Sequence, residues 1–362
     1  MRLGGRFGRA ASRRRVDRGV RRVACSLLLV AVTAACATTP RTPAPPPPSG
    51  IVWPAPPDPP RVRYLSSLIG EPDVKTNVHP SFWSRLWRAL LGGSSSQVFG
   101  KPADVAVTPD GKVIVADSAF ACVHLLDRTQ GRYRRVERVA GGRDLESPVA
   151  VAAAPDGRFF VSDSGLRLIA VYSSEGRPLA AWGEGALRRP VGVALAPDGS
   201  LYVADAEAHQ IVRLGPDGRV VARYGKRGVG AGEFNYPTYL TVDANGGIWV
   251  VDTLNFRVQH LDGKGRFVGE FGKAGDGPGD FGRPKGIAIG PGGVLWIVDA
   301  SYDVVQLFQP DGRLLLVVGG PGRDPGQFWL PSGIAFDGKG QSYVADAYNG
   351  RVQVLDAQGA VP

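Results

Sequence analysis

The stretch from Pro284 to Asp299 reads PKGIAIGPGGVLWIVD. An apolar run, GIAIG, is followed by a Pro-Gly-Gly turn and a second apolar run, VLWIVD. Two β-rich runs of this length split by glycines read as a hairpin. The frame recurs along the chain. Pro102, Pro148, Pro190, Pro237, Pro284 and Pro331 are each followed nine residues later by a glycine and fifteen residues later by an aspartate: Asp117, Asp163, Asp205, Asp252, Asp299 and Asp346. Two fixed spacings that coincide six times mark a structural repeat.

Beyond each aspartate a third run follows, such as RVQHL, VVQLF or RVQVL, and then a turn glycine at 131, 176, 218, 265, 312 or 359. A fourth run ends in an aromatic residue and glycine in Trp182-Gly183, Tyr224-Gly225 and Phe271-Gly272. Each unit is therefore four strands, the size of a propeller blade. The interval from aspartate to the next proline varies (31, 27, 32, 32 and 32 residues), whereas the proline-to-aspartate half never does. Length variation confined to outer strands and connections suits radial stacking about an axis. The sixth unit stops short of its fourth strand at the C-terminus. Arg61 to Gly70, RVRYLSSLIG, has the form of that missing strand. The expectation is an all-β, six-bladed β-propeller whose last blade is closed by the N-terminal strand, removing an exposed edge.

The unit P-x-G-[IVL]-A…G-x-[IL]-x-V-x-D…R-V-Q-V-[FL]-x-x-x-G resembles the NHL repeat. EFNYPTYLTVD, NFRVQHL, RPKGIAI, QFWLPSGIAFD and YNGRVQVL carry the likeness most fully. With PPRVRYL ahead of the ring, the arrangement over about residues 59–360 is similar to a group of bacterial NHL-repeat lipoproteins without a settled activity.

The N-terminal region reads as an address. Residues 1–35 hold nine arginines and one acid, so they account for +8 of the chain's +10 and leave +2 for the remainder. Nucleic-acid binding through counterion release needs clustered excess cations, and the mature part lacks that excess. Val23 to Ala35 is a 13-residue apolar run, too short to span a bilayer and placed as in a secretory signal. Thr33-Ala34-Ala35-Cys36 resembles a bacterial lipobox, with Thr33 where the family usually has leucine. The resemblance implies diacylation of Cys36, and Ala37 in place of an aspartate retention signal implies the outer membrane. The alternative is an ordinary cleaved signal peptide with an incidental Cys36. Thr38 to Pro60 contains eleven prolines and reads as an extended tether. The expected organisation is signal peptide 1–35, lipidated cysteine and tether 36–60, and propeller 61–362. Within 72–100, Ser81 to Leu91 (SFWSRLWRALL) has the spacing of a short amphipathic helix inserted before the first blade.

Six copies of one aspartate point to a structural role, with the carboxylate accepting N–H bonds from the following turn. Propeller enzymes of the gluconolactonase and amidating-lyase type place carboxylates or histidines around the axis. Here the first strands offer only Asp104 near the channel, with Asp243 and Asp337 at the far turn. His124, His209 and His260 fall at three different repeat positions, so no metal site and no cofactor is expected, and no catalytic residues are assigned. Cys122 is the single cysteine after Cys36 and reads as a buried thiol.

The loops after each second strand and the blade connections emerge on one face. Phe120, His209, Asn255, Phe256, Tyr302, Asp303, Tyr348 and Asn349, bordered by Lys285 and Trp329, are the candidate partner-binding residues; aromatics with a few polar groups suit a protein interface. Phe234, Phe281 and Phe328 share one repeat position and read as packing. The functional expectation is a non-catalytic, monomeric scaffold or adaptor in the cell envelope, binding envelope proteins and held to the membrane by its lipid. The rivals are a lactonase-like propeller hydrolase or lyase and a glycan binder.

Overall fold

The computed structural model describes residues 50–74, 98–357 and 359. Residues 1–49, which contain Cys36, and the expected helix at 81–91 lie outside the described residues. Six antiparallel sheets make the six blades. Blade 1 comprises β3 (Pro102–Val107), β4 (Val113–Asp117), β5 (Cys122–Asp127) and β6 (Arg132–Val136). Blades 2 to 5 follow in strict sequence order as β7–β10, β11–β14, β15–β18 and β19–β22, covering residues 148–182, 190–224, 237–271 and 284–319.

Blade 6 is built from both ends of the described chain. Its sheet order is β1 (Val52–Trp53), β2 (Val62–Leu68), β25 (Arg351–Asp356), β24 (Gln341–Asp346), β23 (Ile334–Phe336). Strand β2 runs antiparallel to β25 from Arg63 opposite Asp356 to Leu68 opposite Val352, so the N-terminal strand closes the ring. Alternation in β2 sends Val62, Tyr64 and Leu68 inward. One feature differs from the sequence reading. Val52 and Trp53, within the proline-rich segment, add a fifth strand, and Ile51 and Trp53 pack on the core shared by blades 5 and 6. Their apolar side chains, isolated among prolines, carry no period that would announce a strand.

The first strand of each blade lines the axis, where six chains converge and space is smallest. Two residues past the repeat proline stand Asp104, Ala150, Gly192, Tyr239, Gly286 and Gly333. A Cβ on Gly286 would lie 2.3 Å from the Ser332 carbonyl oxygen, and one on Gly192 would lie 2.5 Å from that of Thr238. The P-x-G signature therefore records blade backbones in direct contact.

Large side chains fill the space between sheets farther out. Phe234, Phe281 and Phe328 are buried, each against the glycine that ends the preceding fourth strand, Gly225, Gly272 and Gly319. Burying one such ring is worth about 2–3 kcal/mol. Cys122 is buried and unbridged, and burial pushes its thiol up to about 12.

Candidate functional site: the loop face and the axial cavity

All six repeat aspartates are buried and tie each blade to the connection leading into it. In blade 1 the Asp117 carboxylate accepts from the backbone N–H of Gly100 at 2.6 Å, Lys101 at 3.0 Å, Ala119 at 3.0 Å and Phe120 at 3.3 Å. Asp163 and Asp299 accept the same four bonds, and Asp205 accepts from Arg188 and Arg189. In blade 4 side chains join in: Asn255, Arg257 and Gln259 donate to Asp252 at 2.7, 3.0 and 3.3 Å. Blade 6 repeats this with Asn349, Arg351 and Gln353 on Asp346. A carboxylate enclosed by donors is a structural clamp.

The clamps reassign several candidate binding residues. Besides bonding the aspartates, Asn255 and Asn349 donate to the carbonyls of Gly228 and Gly322. One position further on, His209 Nδ1 accepts from the Tyr236 N–H at 3.1 Å and Asp303 accepts from that of Leu330 at 2.6 Å. These four polar side chains hold the blade connections. Phe256 is half-buried and packs on the core shared by blades 2 to 5. Phe120, Tyr302, Trp329 and Tyr348 remain as exposed rings, 44%, 36%, 37% and 49% accessible, joined by Leu254, which the repeat pattern did not single out. Three of the rings carry a cation: Arg135 over Phe120 at 5.5 Å, Arg323 over Trp329 at 4.6 Å and Lys101 over Tyr348 at 4.6 Å.

At the centre of this face is a cavity of about 270 Å³ lined by all six blades. Tyr239 lies in its lining. From blade 4 its hydroxyl reaches across the axis to donate to the Ala103 carbonyl of blade 1 at 3.0 Å. Asp104 is buried beside Gly333, and its Oδ2 accepts from the Val151 N–H at 2.9 Å. Burial pushes its carboxyl up to about 8, against the opposing pull of that hydrogen bond. The cavity wall carries Lys101, Arg283 and Lys285. Burial, helped by the neighbouring Arg283 and Lys101 charges, lowers the Lys285 ammonium to about 8. Sequence reasoning named Lys285 but missed Lys101, Arg283 and Tyr239. The signal was available: the residue before each proline is Lys101, Ser147, Arg189, Tyr236, Arg283 or Leu330, and Tyr239 breaks a run of small residues.

A mouth of about 300 Å³ at the other end is lined mainly by Ala and aliphatic side chains from the ends of the first strands. A further cavity, of about 340 Å³, lies off the axis beside blade 3. Its Asp205 is already committed to backbone N–H groups and its Arg223 to the Ala186 carbonyl.

The histidines do not converge. His124 bridges Asp117 Oδ2 at 3.2 Å and the Tyr133 hydroxyl at 2.6 Å inside blade 1. His260 stacks on Trp249 with centroids 3.9 Å apart. Asp243 and Asp337 accept turn N–H groups. Among the described residues no three His, Cys, Asp or Glu side chains are grouped as metal ligands.

Comparison with known proteins agrees with this architecture. The NHL repeat family model matches residues 187–214, 234–261 and 328–355. A search of curated proteins finds no match. Among solved structures, the chain is similar to virginiamycin B lyase from Staphylococcus aureus, with 16% identity over 71% of this chain and 95% of that one, and a TM-score of 0.54. It is also similar to an auxiliary nutrient binding protein from Bacteroides thetaiotaomicron, with 13% identity over 71% and 69% of the two chains, and a TM-score of 0.55. At such identities the likeness is one of fold. This chain carries NHL repeats on a six-bladed β-propeller.

Proposed function

We propose that the protein is a non-catalytic envelope lipoprotein, anchored through Cys36, that serves as a scaffold for envelope proteins through the loop face of its propeller. The observation that carries this reading is the set of exposed rings Phe120, Tyr302, Trp329 and Tyr348 on one face, three of them under a cation. Exposed aromatics next to Arg and Lys are the side chains from which protein-binding hot spots are built. The clamped loops present them on fixed backbone, which lowers the entropy lost on docking.

A photo-crosslinking residue placed at Tyr348 in cells should give protein adducts that one placed at Val221, on the outer strand β14 (Val220–Tyr224), does not. Adducts of equal yield from both positions would count against a face-specific interface. Cys36→Ala should move the protein out of the membrane fraction; unchanged fractionation would remove the anchor from the account.

A second reading, a propeller lyase or hydrolase, draws on the axial cavity, where Lys285 with its lowered ammonium pKa and Tyr239 face one space. The similar structure named as a virginiamycin B lyase gives that reading its reaction class.

A further inference from the structure

The axial cavity on the loop face holds a charge that the described residues do not balance. Lys101, Arg283 and Lys285 line it, and no carboxylate does. Elsewhere in the propeller Lys112, Arg213, Lys226, Arg257 and Arg351 each pair with an Asp or Glu. Among the described residues the three cavity cations make no such pair. Lys101 donates to the Tyr348 hydroxyl at 3.4 Å, and the Lys285 ammonium lies 3.5 Å from Ser332 Oγ. Asp104 is near but is not their counter-ion. Its Oδ2 is bonded to the Val151 N–H and its Oδ1 lies against Gly333, and its raised pKa keeps it largely protonated at neutral pH. Three like charges line one concave space, Lys285 half-buried within it and Lys101 and Arg283 exposed at its rim, and together they create a positive potential there.

The rest of the lining narrows the ligand. Hydroxyls of Ser118 and Ser332 stand beside the cations, while Val149, Val191, Ala300 and Leu330 give an apolar wall, and the Tyr348 ring forms one side. The volume of about 270 Å³ equals that of roughly nine waters at ~30 Å³ each. An inorganic ion would leave the apolar wall unused, and a large ligand would not fit below the rim.

We propose that this cavity binds a small organic carboxylate, its anionic head held by Lys285, Arg283 and Lys101 and its body set against Tyr348 and the aliphatic wall. The carboxylate belongs either to a free metabolite-sized acid or to an acidic side chain inserted by a docked protein. The proposal goes beyond the scaffold reading and stands whether or not a protein docks on the face.

Binding supplies the missing counter-charge, so it raises the Lys285 pKa from about 8 and draws a proton onto the amine. Affinity therefore falls as pH rises through 8, where the free lysine discharges. The charged and titratable groups that share the cavity lining with Lys285 are Lys101, Arg283, Tyr239 and Tyr348, and Asp104 lies near Tyr239. Asp104 ionises in the same range and weakens anion binding in the same direction, so Asp104→Asn separates the two contributions.

The test is calorimetric titration of the full-length protein with glutarate, citrate, inorganic phosphate and a short glutamate-bearing peptide. Saturable binding of glutarate, citrate or the peptide is expected, at least about tenfold weaker in Lys285→Met and in Arg283→Glu. It should be unchanged in Arg219→Glu, which alters an exposed cation in the outer turn of blade 3, away from the cavity and the loop face. Each variant must keep the wild-type melting temperature. Binding of the peptide but not of the free acids assigns the carboxylate to a partner protein; binding of the free acids assigns it to a metabolite. Retained affinity in folded Lys285→Met and Arg283→Glu overturns the proposal. So does phosphate binding as tightly as the carboxylates, or no binding of any carboxylate up to ~10 mM.

Discussion

The two mouths of the propeller axis are made by the same six strands, yet they are chemically different. Four residues past the repeat proline, toward the apolar mouth, the side chains are Ala106, Ala152, Ala194, Thr241, Ala288 and Ala335. One residue past it, on the loop face, they are Ala103, Val149, Val191, Thr238, Lys285 and Ser332. The first position is nearly uniform, and its small side chains line the mouth of about 300 Å³ at that end. The second lines the cavity on the loop face, where the side chains range from alanine and valine to serine, threonine and lysine. In a molecule built from copies, what every copy shares maintains the ring, and what one copy alone carries is available for function. The repeat aspartates belong to the first kind, and Lys285, Tyr239 and the exposed aromatics to the second.

The sharpest way to break this distinction is to remove a shared group. Asp346→Ala leaves Arg351, only slightly exposed, without its carboxylate and strips the acceptor from Asn349 and from the Trp329 N–H. Denaturant unfolding should show a loss of about 3–5 kcal/mol. A loss below ~1 kcal/mol would free the aspartates for a functional role.

The next effect concerns Asp104. Its folded-state pKa of about 8 lies above the ordinary value of 3.8, so the native chain holds a proton that the unfolded chain has released. Between pH 4 and 8 this group lowers stability as pH rises, by up to about 1.4 kcal/mol per pH unit. Asp104→Asn should therefore gain on the wild type from pH 5 to pH 8 in thermal melts. Parallel pH profiles for the two proteins would show that the carboxyl is not held neutral.

Gly286→Ala drives a methyl group to 2.3 Å from the Ser332 carbonyl and should cost about 1–3 kcal/mol by overpacking. A neutral result would mean that the blades can part at the axis. The smallest stability effect belongs to the face itself: Tyr348→Ala should change stability by no more than ~0.5 kcal/mol. A larger loss would make Tyr348 part of the scaffold.

Much of the fold was legible because its determinants repeat. The spacing from proline to glycine to aspartate marked strands β3 to β25, and RVRYLSSL marked the closing strand. The site was legible only in part. Loop position showed that Tyr302 and Tyr348 would be exposed, but not that Asn255, Asn349, His209 and Asp303 would turn inward, since an inward and an outward polar side chain look alike in sequence. Their shared offsets three and four residues past the aspartate were the available clue. The axial cavity was harder, because Lys101, Arg283 and Lys285 come from blades 1 and 5 and meet only when the ring closes.

The most direct test of the scaffold account is crosslinking in native envelopes with the full-length protein, comparing wild type with a Phe120→Ala/Tyr302→Ala/Tyr348→Ala variant of unchanged melting temperature. The account predicts that a specific protein adduct of the wild type disappears in the variant while membrane anchoring persists. An adduct recovered in equal amount from both would contradict it.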